Sequence, residues 1–225
     1  MNPIPPVTKY LLWALGIAFL LQQLQQQTAT IYFALWPWGE FQDGGQFYNL
    51  FQPWQLLTYA LLHGNFLHLF LNAFGLIQFA PRIEYALGQK RFIVFCLVCT
   101  VGAGLCQLAV GTWQLNNGGN PYPTVGASGL IYGVLLAYGT LYPHERIMML
   151  LPPVEMSART FVMIFGGIEL FFGVTGTMSG VAHFAHLGGM LFGWLLLRWW
   201  QNKPPFNRGR KPPPPKRPNH LRSIN

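Results

Sequence analysis

The chain has 225 residues, of which 52% are hydrophobic and only 9% are Asp, Glu, Lys or Arg. Soluble domains carry about 25% charged residues, so this composition excludes a solvated globular domain and leaves a single polytopic membrane domain. The formal charge of +8 suggests nucleic acid when taken alone, yet no Lys or Arg lies between Tyr10 and Ala80, and eight of the fourteen lie at Arg198 or beyond. That is the distribution of a cytoplasmic tail, and no nucleic-acid partner is expected.

A transmembrane helix needs roughly 20 mainly apolar residues. Apolar stretches at 9–26, 56–80, 92–112, 126–142, 160–176 and 181–200 predict six spans, hence an all-α bundle. Residues 1–8 then form a short N-terminus, residues 9–200 the membrane domain, and residues 201–225 a basic, Pro-rich tail expected to be disordered. The first run ends in Gln22, Gln23, Gln25, Gln26 and Gln27 without a small-residue cleavage site. It therefore does not read as a secretory signal, and a bacterial cytoplasmic membrane is expected.

The first loop, residues 27–55, carries Trp36, Trp38, Phe41, Phe47, Tyr48, Phe51 and Trp54. Aromatic rings with a polar edge favour the membrane interface, so this loop should lie on or in the outer leaflet. Arg82, Lys90 and Arg91 flank the second loop, and Arg146 and Arg159 flank the fourth, while the first, third and fifth loops have neither Lys nor Arg. With Lys9 and the tail, every basic residue then falls on one side, and both termini are placed in the cytoplasm. Cys96, Cys99 and Cys106 share one apolar run and read as small hydrophobes in the core. The fifth span and the loop at 175–181, with Gly173, Gly176 and Gly180, read as gate and cap.

Three short patterns carry candidate chemistry. Gly126-Ala127-Ser128-Gly129 follows a polar loop and opens an apolar helix. A serine there can be a nucleophile if a base takes its proton, and free amides at a helix start favour a developing oxyanion. Small residues also pack membrane helices together, so the pattern is ambiguous by itself. Ala185-His186-Leu187-Gly188-Gly189 places His186, Gly189 and Gly193 on one helix face. That face would accept a helix carrying Gly129 and Gly133 and bring His186 towards Ser128; a histidine bonded to a neighbouring carbonyl is the blander alternative. His68 and Asn72 share a face in the second span. They are either donors to a carbonyl oxygen or a polar clamp between helices.

The three patterns together resemble the rhomboid family of intramembrane serine proteases: G-x-S-G opening the fourth helix, A-H-x-x-G-x-x-x-G in the sixth, and H-x-x-x-x-H-x-x-x-N in the second. The resemblance covers residues 50–200 or so. It implies a Ser–His dyad without a third carboxylate, with Ser128 as nucleophile, His186 as base, and His68, Asn72 and the Ser128 amide as the oxyanion hole. It implies Tyr132 stacked beside the histidine and a structural role for Glu84 in the loop after the second helix. It also implies transmembrane protein substrates in a lipid bilayer, cleaved after small residues, with no cofactor and no metal. The chain departs from the family where many members carry Trp-Arg and it reads Trp54-Gln55.

Among the remaining acids, Glu40, Asp43 and Glu169 have no spacing that ties them to His186. The site must hold water, so a hydrophilic cavity is expected on the side free of Lys, lined by groups such as His63, Tyr59, Asn72 and Ser128, with Gly126, Gly129 and Gly189 in support. His183, three residues before His186, raises a zinc alternative with His68, which lacks an H-E-x-x-H pattern. His144 and His220 read as solvated. A catalytically silent relative and a histidine-dependent transporter are the competing readings; the first should lack the serine or the histidine, and the second should show inverted repeats. Oligomeric state is left open.

Overall fold

The computed structural model describes residues 3–43, 45–149, 153–177 and 180–201. Its helices are α1 (Pro6–Leu24), α2 (Gln26–Phe33), α3 (Gln55–Thr58), α4 (Phe66–Leu87), α5 (Gln89–Asn116), α6 (Ser128–Leu141), α7 (Ala158–Thr175) and α8 (His183–Trp200). Two small antiparallel hairpins join them: β1 (Phe41–Asp43) with β2 (Gln46–Tyr48), and β3 (Arg146–Met148) with β4 (Glu155–Ser157). By length and apolar composition α1, α4, α5 and α7 are each able to cross a bilayer. The protein is an integral membrane protein of helical-bundle type. The tail expected to be disordered lies outside the described residues from 202 onward, as does part of the loop at 175–181.

Helix α6 is the axle of the bundle. Helices α4, α5, α7 and α8 all pack on it, and Leu130, Ile131, Gly133, Val134, Leu135, Ala137 and Tyr138 are buried along its length. With 14 residues it rises about 21 Å, against a hydrocarbon core of roughly 30 Å. Its two ends therefore cannot both reach the interfaces. Its first residue, Ser128, is half-buried within the protein.

The closest crossing is that of α6 with α8. A side chain at Gly189 would occupy the position of the Gly129 carbonyl oxygen, and one at Gly133 would meet the Cys99 Sγ and the Gly189 oxygen. Without such glycines the two backbones would be pushed apart by the width of a methyl group. On the far side of α8, Phe192 fills the space above Gly102 of α5.

The second apolar stretch departs from its predicted form. It is not one helix over 56–80. Residues 55–61 form α3 and a single 3-10 turn, the chain extends at Leu62, and α4 starts afresh at Phe66. The Asn65 side chain accepts from the His68 amide at 2.8 Å and caps the new helix, as an Asn at that position commonly does. The helix then runs through Pro81 to Leu87, so Glu84 lies within α4 rather than in the loop after it. Buried Glu84 accepts from the Val7 and Thr8 amides at 2.9 and 2.7 Å and from the Thr8 hydroxyl at 2.8 Å. A carboxylate at the first turn of α1 satisfies free amides and complements the helix dipole, which clamps α1 to α4.

The described basic residues gather at one end of the bundle. Arg82 pairs with Glu145 at 2.6 Å, Tyr138 donates to Glu145, and the Arg91 guanidinium lies 5.7 Å from the Trp200 ring centre. The opposite end is closed by the first loop. Leu35 bridges Thr124, Gln22 exchanges two 3.0 Å hydrogen bonds with the His63 backbone, and Trp36 stacks near Phe41. Gln55, at the position where many members of the resembled family carry arginine, is fully buried here. Its oxygen accepts from the Trp36 and Gln52 amides, and its nitrogen donates to the Leu50 carbonyl at 2.9 Å. A neutral amide supplies both donors and acceptors, so it ties the loop from inside without a buried charge.

Candidate active site

At the loop-covered end, Ser128 opens α6 directly after Gly126 and Ala127. Gly126 has φ +121°, a region that favours glycine, and its amide donates to the Tyr59 carbonyl at 2.9 Å. A Cβ on Gly126 would come within 2.7 Å of the His68 ring at Cε1 and Nε2 and within 3.7 Å of Asn72 Nδ2. The missing side chain thus leaves room for His68 and Asn72 to converge on the start of α6.

The Ser128 Oγ lies 2.7 Å from His186 Nε2. The His186 ring is stacked on Tyr132, one helical turn after Ser128, with ring centres 4.3 Å apart and planes 6° from parallel. His186 is buried, as is its neighbour His183. The serine's helix and the histidine's helix are the pair that cross through Gly129 and Gly189, so the polar contact and the glycine contact belong to one interface.

Opposite Ser128, His68 Nδ1 is 3.4 Å from the Gly64 amide, which donates to it. That arrangement leaves the hydrogen on Nε2, facing the gap beside Gly126. Asn72 Nδ2 is buried and has no hydrogen-bond partner among the described residues. His68 Nε2 and Asn72 Nδ2 thus both lie beside the start of α6, and a buried unpaired donor such as that of Asn72 is ordinarily costly. His63 is fully buried behind His68, with ring centres 5.0 Å apart. It precedes α4, and burial, with His68 beside it, pushes its pKa down to about 4, so the ring is neutral near pH 7.

A cavity of about 1040 Å³ opens beside these groups. Ser128, His186, Tyr132, His68 and Asn72 form its polar wall, and Phe74, Phe79, Phe161 and Phe165 its apolar one. The expectation that His63 and Tyr59 line it is corrected: neither reaches it. Tyr59 is buried and donates to the Thr100 carbonyl at 2.9 Å. His144 is exposed, as expected of a loop residue.

The larger correction concerns Glu169. No spacing linked it to His186, yet α7 carries it to the far side of that ring. Glu169 Oε2 lies 2.9 Å from His186 Nδ1 and 2.6 Å from His183 Nδ1, and Tyr132 donates to Oε1. The His183 contact is an aligned hydrogen bond. The His186 contact has ion-pair distance, but its N–H is poorly aimed at the oxygen. A buried acid on one span and two histidines on another were visible in the sequence, but only as separate ionisable residues inside apolar runs. The zinc alternative changes with it: the cluster whose donor atoms lie within 4.8 Å of one another is Glu169, His183 and His186, without His68. In that cluster Glu169 Oε2 stands within 2.9 Å of the Nδ1 atoms of both histidines.

Comparison with known proteins points to one family. The family model for the Rhomboid domain matches residues 50–200. YdcA of Bacillus subtilis, provisionally named a rhomboid protease, is 31% identical over 145 residues, covering 64% of this chain and 65% of its own. The rhomboid protease GluP of the same organism is 28% identical, covering 62% of this chain and 24% of its own. The mitochondrial presenilin-associated rhomboid-like protein of Bos taurus is 28% identical, covering 70% of this chain and 41% of its own. The matched region is thus less than two thirds of each relative's length.

Proposed function

This chain belongs to the rhomboid family, and we propose that it is an intramembrane serine endopeptidase that hydrolyses peptide bonds in or near the transmembrane segments of other membrane proteins. The observation that carries this reading is the 2.7 Å approach of Ser128 Oγ to His186 Nε2 at the wall of a cavity within the bundle. His186 Nε2 accepts the hydroxyl proton as Oγ attacks the scissile carbonyl carbon. The carbonyl oxygen takes the electron pair and turns towards the His68 Nε2 and Asn72 Nδ2 donors and the Ser128 amide. The tetrahedral species collapses as the imidazolium returns its proton to the leaving amine, and water repeats the sequence on the acyl-enzyme.

The wall chemistry supports this assignment. An unpaired Asn72 donor is unfavourable in the resting protein and favourable once an oxyanion forms, which is the differential stabilisation that accelerates a reaction. The presence of both serine and histidine in contact argues against the silent alternative. The gathering of the described Lys and Arg residues at the opposite end supports a topology with both termini in the cytoplasm. On that topology the site opens towards the outer half of a bacterial cytoplasmic membrane. The phenylalanine wall suits an apolar substrate segment, and the family resemblance adds small residues at the cleaved bond.

The test is purified protein in detergent with a fluorescently labelled transmembrane substrate. Ser128→Ala and His186→Ala should each abolish cleavage while keeping the wild-type melting profile. A fluorophosphonate probe should label the wild type and not Ser128→Ala. Cleavage surviving in either variant would remove the serine reading.

A further inference from the structure

Glu169 is a buried acid in a helix whose other side chains are mainly apolar. Such a residue is expensive in a membrane and needs partners. It has them from two other helices: the Tyr132 hydroxyl on α6, and His183 and His186 on α8. Among the described residues no Lys or Arg pairs with it. The nitrogen of His186 that Glu169 meets is Nδ1, the one opposite the nitrogen at Ser128.

We propose that Glu169 is a positioning residue of this site, a carboxylate on α7 that orients His186 towards Ser128 and stabilises the imidazolium formed when the serine proton is taken. The inference rests on the serine-protease reading and adds a third member to its Ser–His pair. The chemistry needs no further reactant. The proton moves from Ser128 Oγ to His186 Nε2, while Nδ1 keeps its hydrogen facing Oε2 and the carboxylate stays ionised.

Three features of the geometry favour this role over simple packing. First, the Tyr132 ring fixes the plane of His186 by stacking, and the same residue's hydroxyl holds Glu169 Oε1. One side chain therefore sets both the ring and the carboxylate that faces it. Second, His183 takes the aligned 2.6 Å bond to Oε2 and so keeps that oxygen at the depth of the His186 ring. Third, the 2.9 Å approach is short but poorly aimed in the resting state. Catalytic hydrogen bonds are often loose before substrate binds and tighten as charge develops. A positive charge appearing on His186 would draw Nδ1 and Oε2 into line, in surroundings where attraction between charges is only weakly screened.

The experiment measures kcat and KM separately for wild type, Glu169→Gln and Glu169→Asp with the labelled transmembrane substrate, alongside melting profiles and the rate of fluorophosphonate labelling at Ser128. Glu169→Gln keeps the shape and the acceptor for Tyr132 but loses the charge. It should lower kcat by roughly 10²-fold with KM unchanged, and slow labelling in proportion. Glu169→Asp should recover part of the loss. A Glu169→Gln enzyme with wild-type kcat overturns the inference. So does a kcat loss that follows loss of folded protein and is not relieved by aspartate, because Glu169 would then serve packing alone. In both cases Ser128→Ala remains inactive and the protease reading stands. Cleavage by Ser128→Ala would instead remove that reading, and this inference with it.

Discussion

At the scale of single residues, the site is made of groups whose local rules were legible and whose partners were not. His68 and Asn72 were placed on one helix face by their spacing, and the structure brings both to the gap beside Gly126. Their proposed work is to hold the oxygen of a tetrahedral intermediate. Asn72→Ala should then reduce kcat on the order of 10²-fold, the usual effect of losing one such donor, and leave substrate affinity near wild type. Steady-state cleavage kinetics check this, and a change confined to KM would assign Asn72 to substrate binding. Gln55 shows the opposite case. As a polar residue in an aromatic loop it read as a departure from the family, yet it is fully buried and bonded to Trp36, Gln52 and Leu50. Nothing in a dipeptide states whether a glutamine faces water or the inside of its own loop.

At the scale of elements, α7 is held differently from its neighbours. It packs on α6 and α8, and it meets α4 at Phe79 and Phe161, whose ring centres are 6.1 Å apart. The cavity lies between the α4 wall at Phe74 and the α7 wall at Phe165. Ile168, Leu170, Phe171 and Val174 along α7 are exposed to the surroundings of the bundle. On the proposed protease reading, outward movement of α7 would open the cavity to an apolar segment arriving from the bilayer, against the buried Glu169 contacts to Tyr132 and His183. A disulfide engineered between α4 and α7 across the cavity mouth should therefore slow cleavage of a transmembrane substrate, and reduction should restore it. Fluorophosphonate labelling, which needs a smaller opening, should be affected less. Equal cleavage rates in the oxidised and reduced forms would place entry elsewhere.

At the scale of the whole molecule, charge and chemistry are separated to opposite ends. Lys9, Arg82, Arg91, Arg146 and Arg198 belong to one end, and Ser128, His186 and the folded first loop to the other. The separation follows from the cost of carrying Lys and Arg across a bilayer, which also keeps solvated cations away from the site. A single cysteine introduced at Gly45, in the turn between β1 and β2, should react with a membrane-impermeant maleimide added from outside intact cells. One introduced at His144 should react only after the cells are opened. The reverse pattern would invert the proposed topology.

The apolar helices, the uneven spread of Lys and Arg and the glycine faces were determined by the sequence itself, because hydropathy, charge and helical period are properties of consecutive residues; of the six stretches expected to span, four form helices long and apolar enough to cross a membrane among the described residues. The break at 62–65 was missed because Gly64 and Asn65 sit inside an apolar run, where a cap reads as a polar interruption. That Glu169 stands behind His186, that His63 lies behind His68 rather than in the cavity, and that Gln55 points inward were decided only by the tertiary structure. Each depends on the rotation and depth of one helix against another. Those are set by where glycine lets two backbones touch, and no spacing along a single helix encodes them.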